Sequence, residues 1–100
     1  MMDKTLNEIL STLQNNKKII QDFGVRHLSL FGSFARGENT KTSDLDFLVD
    51  FEKVSFDSYM ELKFYLEKLF NTHIDLVLSH TLKERLRSII LKEAIRVPGL

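Results

Sequence analysis

The stretch Leu30–Phe51, LFGSFARGENTKTSDLDFLVDF, joins a Gly-Ser turn to a strand headed by paired carboxylates. Gly32 and Ser33 follow an apolar run, ten residues intervene, and Asp44 and Asp46 then stand one residue apart. Leu45, Phe47, Val49 and Phe51 alternate with Asp44, Asp46, Leu48 and Asp50, the period of a strand with one apolar and one carboxylate-bearing face. Residues two apart on a strand point the same way at about 6.5–7 Å separation, so Asp44 and Asp46 converge on one side of the sheet. With an effective dielectric near 20, two anions that far apart repel by about 2.5 kcal/mol before solvent screening. A strand with only a structural task gains by losing one of them. A divalent cation reverses the sign, because hard cations take oxygen ligands and are held by one or two carboxylates together with substrate phosphates.

Upstream of the pair, Val25–Phe31 is β-rich and reads as a first strand, with Gly32-Ser33 as a turn that opens a short helix. Glycine permits close backbone approach, serine adds a hydroxyl, and a helix start supplies N–H groups, so Gly32 and Ser33 are candidate phosphate contacts. Arg36, just before Gly37, is placed to hold a phosphate oxygen by a charge-assisted bond. Glu38–Ser43 is polar and turn-rich, hence a loop.

Downstream, Tyr59, Leu62, Leu66 and Leu69 mark a helix from about Phe56 to Asn71, which returns the chain to a third strand at His73–Leu78. A strand–helix–strand unit makes parallel neighbours, so Asp75 is expected beside Asp44 and Asp46. Within the run HIDLVL, an ionised Asp75 is costly to bury unless paired or metal-bound. Three carboxylates opposite a phosphate-binding turn point to Mg²⁺-dependent nucleotidyl transfer, in which two ions about 3.5–4 Å apart can hold nucleophile and leaving group together. Mn²⁺ is the alternative ion.

The flanks complete a single domain spanning residues 1–100. Leu6, Ile9, Leu10 and Leu13 predict an amphipathic helix from about Asp3 to Leu13, broken near Asn15-Asn16. A second helical turn at Lys17–Asp22 ends at Gly24. Thr81 and Glu84 form a capping-box pattern before a last helix with Leu82, Leu86, Ile89 and Ile90 as its apolar face. Ala94–Val97 predicts a short edge strand. The fold class is α/β in the α+β sense: a small mixed sheet of three to four strands covered by helices.

The 100 residues carry 14 basic and 14 acidic side chains, so no overall field steers the chain toward nucleic acid or anionic membrane. Without cysteine there are neither disulfides nor thiolate metal sites, which fits a reducing compartment. No apolar run approaches the roughly 18 residues of a membrane span, and a cytoplasmic protein is expected. His27, His73 and His80 lack metal-ligand spacing and read as ordinary histidines; the eight phenylalanines read as mostly core, and Tyr59, Tyr65 and the methionines as packing residues. Lys83, Arg85 and Arg87 read as a solvated helix face, and no direct nucleic-acid binding is expected.

Gly32-Ser33, ten residues, Asp44-Leu45-Asp46 and a later Asp75 resemble the signature of the polymerase-β-type nucleotidyltransferase superfamily. The wording GSFARG and the ending ILKEAIRV resemble its minimal branch, the MNT proteins. The resemblance spans nearly the whole chain. It implies that Gly32 and Ser33 contact the triphosphate of ATP, that Asp44 and Asp46 bind metal, and that Asp75 binds metal and activates the incoming hydroxyl, with Arg36 resting on a shorter match. Little chain is left to enclose a small acceptor once the strands and helices are built. That agrees with the partner the resemblance implies, a HEPN-type toxin neutralised in a hetero-oligomer by transfer of AMP to a tyrosine. The alternative is a non-catalytic nucleotide-binding module that neutralises or scaffolds its partner by contact. A third reading is a free-standing transferase acting on a small molecule or an RNA end.

Overall fold

The computed structural model describes residues 5–37 and 44–100. The loop expected at 38–43 and the first residues of the expected opening helix lie outside the described residues. In chain order the elements are α1 (Leu6–Asn15), α2 (Lys17–Asp22), β1 (Val25–Phe31), α3 (Ser33–Arg36), β2 (Leu45–Phe51), α4 (Phe56–Phe70), β3 (Ile74–Leu78), a 3-10 turn (Ser79–Thr81), α5 (Glu84–Glu93) and β4 (Ile95–Arg96). The mixed sheet has the order β3-β2-β1-β4, with β2 and β3 parallel and β1 antiparallel to both of its neighbours.

Side-chain caps fix the starts of α1 and α4. Thr5 caps α1 by accepting a hydrogen bond from the Glu8 N–H (3.1 Å), so the helix begins at Leu6, the first residue of its apolar stripe, rather than near Asp3, and runs two residues past Leu13. Asn16 leaves helical geometry and forms the joint with α2. It is fixed by its side-chain bond to the Thr12 carbonyl and by the Tyr65 hydroxyl, which donates to its Oδ1. Ser55 caps α4 in the same way as Thr5 caps α1, and Asn71 ends α4 in the left-handed conformation.

One face of the sheet carries the core. Leu28 and Leu30 of β1, Leu45, Phe47 and Val49 of β2, and Ile74 of β3 are fully buried against Ile9 and Leu13 of α1, Ile20 of α2, and Leu62 and Leu66 of α4. Strict alternation would put Val25 and Leu28 on opposite faces; a register shift between Val25 and His27 lets both point inward. Phe47 stacks on Phe70 at 6.2 Å, and truncating so buried a ring would cost about 3–5 kcal/mol. By the same alternation Asp44, Asp46, His73 and Asp75 occupy the opposite face.

At β3, the edge strand, two outward backbone groups are taken up by α4. The Tyr59 hydroxyl donates to the Leu76 carbonyl at 2.6 Å, and the Ile74 N–H donates to Glu67 Oε2 at 3.3 Å. These bonds satisfy groups that an open edge would offer to another strand.

Three expectations change. Thr81 does not cap α5: it closes the 3-10 turn, its hydroxyl donating to the Leu78 carbonyl, and the cap position falls to Lys83, which makes no side-chain cap bond. The stripe on α5 is not a core face, since the helix has no buried residue and Leu86 and Ile89 are about half exposed. Of the phenylalanines, Phe34, Phe47, Phe51 and Phe70 are core residues, whereas Phe56 and Phe64 are exposed.

Candidate active site

Strand register brings the singled-out residues together. Phe31 at the end of β1 is paired with Asp46 on β2, and Asp46 with Asp75 on β3, so the turn after β1 and the two carboxylates form one row across three strands. Gly32 has φ 78° and ψ −151°, a region essentially confined to glycine. A β-carbon placed there would lie 2.9 Å from Asp46 Cγ and closer still to Oδ2. Glycine is therefore required twice over, by its own backbone and by the carboxylate against it. Ser33 opens α3, which is a single turn; its donors are first-turn N–H groups rather than the macrodipole of a long helix.

The carboxylates crowd one another. Asp46 is pushed up from 3.8 to about 6, first by burial, then by its hydrogen bond with Asp75 and by the charges of Asp75 and Asp44, with Arg36 pulling the other way. A hydrogen bond between two carboxyl groups needs a proton on one of them. That proton does what a cation would do, offsetting charge that the sheet has forced together. The donor set, three carboxylates on one face of one sheet end, fits a hard divalent cation.

Asp75 is not buried as the apolar run implied. Its side chain is about half exposed at 52%, because on the strand's period it shares the open face while Ile74 and Leu76 face the core. Arg36 lies close enough to lower the Asp46 pKa, and its Nη1 is 3.2 Å from Glu93 Oε2 at the end of α5. The arginine thus links α3 to α5 beside the acidic row. The residue missed from sequence is His73, whose Nδ1 is 3.3 Å from Asp44 Oδ2 and 3.9 Å from Asp75 Oδ1. A signal for it existed: it precedes Asp75 by two and so shares its face.

An apolar groove of about 540 Å³ is lined by Val54, Phe56, Tyr59, Leu76, Leu78 and Thr81. A second cavity of about 240 Å³ lies between the open face of the sheet and α5, lined by His27, Leu48, Asp50, Arg87, Leu91 and Arg96. Neither is lined by the acidic row.

A family model described as a nucleotidyltransferase domain matches residues 5–97. The chain belongs to the nucleotidyltransferase domain family. It is 43% identical over 95 residues to the protein adenylyltransferase MntA of Thermococcus cleftensis, covering 93% of this chain and 96% of that protein. A solved structure described as a candidate minimal nucleotidyltransferase superposes with a TM-score of 0.72 at 36% identity, covering 94% and 95% of the two chains. The MNT antitoxin complex with a tri-AMPylated HEPN toxin of Shewanella oneidensis superposes at 0.61 and 21% identity, covering 89% of this chain and 73% of that one, a likeness of fold. The architecture, α+β with a mixed sheet, is that of the minimal nucleotidyltransferase structure it superposes on. Among the described residues no helix is long and apolar enough to cross a membrane.

Proposed function

We propose that this chain transfers AMP from ATP to a hydroxyl, a tyrosine by our reading, on a HEPN-type toxin, and that it acts as that protein's antitoxin. The observation that carries the reading is the register row Phe31–Asp46–Asp75, which sets a glycine turn directly against Asp46 with Asp75 paired beyond it. The names of the relatives add the acceptor: an adenylyltransferase at 43% identity, and an AMPylated HEPN toxin held by a chain of the same fold.

In this mechanism Gly32 and Ser33 receive the triphosphate, the glycine because any side chain would strike Asp46. Arg36 offsets negative charge on the phosphates. Asp44, Asp46 and Asp75 hold the divalent ion, Mg²⁺ in our reading; when bound, it supplies Lewis-acid stabilisation of charge on the transferring phosphoryl group. The acceptor oxygen attacks the α-phosphorus, an O–P bond forms as the bond to the pyrophosphate leaving group breaks, and Asp75 accepts the hydroxyl proton. Half exposure suits Asp75 to that task, because a protein-borne hydroxyl must reach it from solvent.

The test is transfer of label from α-labelled ATP to a purified HEPN-type protein offered as acceptor, with Mg²⁺. Wild type labels the acceptor and Asp75→Asn does not. Equal labelling by both would refute the assignment.

A second reading, neutralisation by contact alone, is favoured by the apolar surface on Leu86, Ile89, Leu91 and Phe56, the kind of surface protein interfaces bury. Neutralisation that survives in Asp44→Asn/Asp46→Asn without any transfer would support it.

A further inference from the structure

The parallel register that pairs Leu45 with Ile74 and Asp46 with Asp75 continues one step outward to set Asp44 opposite His73. The Leu45 N–H donates to the His73 carbonyl at 3.3 Å, holding the two chain segments together at this end of the sheet. One ligand atom from each of Asp44, His73 and Asp75 lies within 4.8 Å of the others. All three side chains are about half exposed, so an ion reaches them without opening the core.

We infer that His73 is a nitrogen ligand beside Asp44 and Asp75, giving the cation site a mixed nitrogen–oxygen donor set that favours Mn²⁺ and Co²⁺ over Mg²⁺ more strongly than carboxylates alone would. This rests on the reading that the carboxylates hold a divalent ion. Mg²⁺ takes oxygen ligands and keeps several of its waters, so an imidazole adds little to its binding. First-row transition ions accept imidazole, and their affinity for such sites rises from Mn²⁺ to Co²⁺. The competing account of the same geometry is that His73 only pairs with Asp44. The two accounts differ in sign. Removing a competitor for Asp44 would tighten every divalent ion, whereas removing a ligand weakens Co²⁺ and Mn²⁺ selectively.

The full chain, without nucleotide, is titrated at pH 8 with Co²⁺, Mn²⁺ and Mg²⁺ by calorimetry, with the Co²⁺ ligand-field absorption recorded alongside. Wild type is compared with His73→Ala, with His73→Gln, which keeps bulk and hydrogen bonding but no imidazole, and with Asp44→Asn/Asp46→Asn. His73 is exposed, and an unchanged circular dichroism melt confirms that its variants fold. For both His73 variants the expected result is a loss of about tenfold in Co²⁺ affinity, a smaller loss for Mn²⁺, less than about twofold for Mg²⁺, and an altered Co²⁺ spectrum. An unchanged Co²⁺/Mg²⁺ ratio, or tighter binding in the variants, overturns the assignment of His73 alone. Wild-type affinity in Asp44→Asn/Asp46→Asn would instead overturn the carboxylate site on which it stands.

Discussion

Replacing Asp46 by asparagine isolates the charge that the acidic row has to accommodate. In the folded chain this carboxyl is raised from 3.8 to about 6. At 1.36 kcal/mol per pKa unit the rise corresponds to a ceiling of about 3 kcal/mol. The side chain is only partly buried, and solvent screening reduces the expected value to roughly 1 kcal/mol. The folded state binds this proton more tightly than the unfolded chain does. The stabilisation it brings is therefore complete below pH 3.8 and is lost as the pH rises through about 6. Asparagine carries no charge at any pH and keeps the shape. In EDTA, Asp46→Asn should match wild type near pH 4 and then gain on it through pH 6. At pH 8 it should be more stable by about 1 kcal/mol, or about 4–8 °C in Tm for a chain of this size. Thermal melts followed by circular dichroism at pH 4, 6 and 8 measure this, and adding Mg²⁺ at pH 8 should close the gap. A difference that is flat with pH, or a variant less stable at pH 8, would refute the crowding of Asp46 by Asp44 and Asp75.

Gly32→Ala should destabilise the fold by about 2–3 kcal/mol through the forbidden backbone and the displaced Asp46 carboxylate, and should abolish transfer; urea unfolding and the labelling assay read the two effects. Tyr59→Phe removes the donor to the Leu76 carbonyl at the sheet edge and should cost about 1 kcal/mol in urea unfolding. Ile89→Ser on α5 should change stability by less than about 0.5 kcal/mol, because the side chain is already half in water. A loss of 2 kcal/mol or more there would mean the helix packs against the chain after all.

What the sequence made legible is what local periodicity and strand register control. β1 runs over its β-rich segment and β2 over the residues its alternation indicates, and parallel pairing of β2 with β3 follows from the intervening α4, which is why Asp75 falls beside Asp46. The cation set was less legible. Spacing along the chain holds no ligand pattern for His73, whereas the register across strands sets it opposite Asp44. For Asp75 the topology argument holds and the burial argument fails: the strand turns that residue outward, and its closeness to Asp46 is what places it in the site. On α5 the helical stripe states which residues share a side and says nothing about what covers them. Thr81 matched a cap pattern that the 3-10 turn at Ser79–Thr81 displaced by two residues.

The central claim is AMP transfer to a partner protein by the acidic row. Its most direct test is the intact mass of a HEPN-type protein offered as partner, co-expressed with wild type or with Asp44→Asn/Asp46→Asn. The account predicts one or more adenylyl increments on the partner with wild type and none with the variant. An unmodified partner that co-purifies equally with both forms would contradict it.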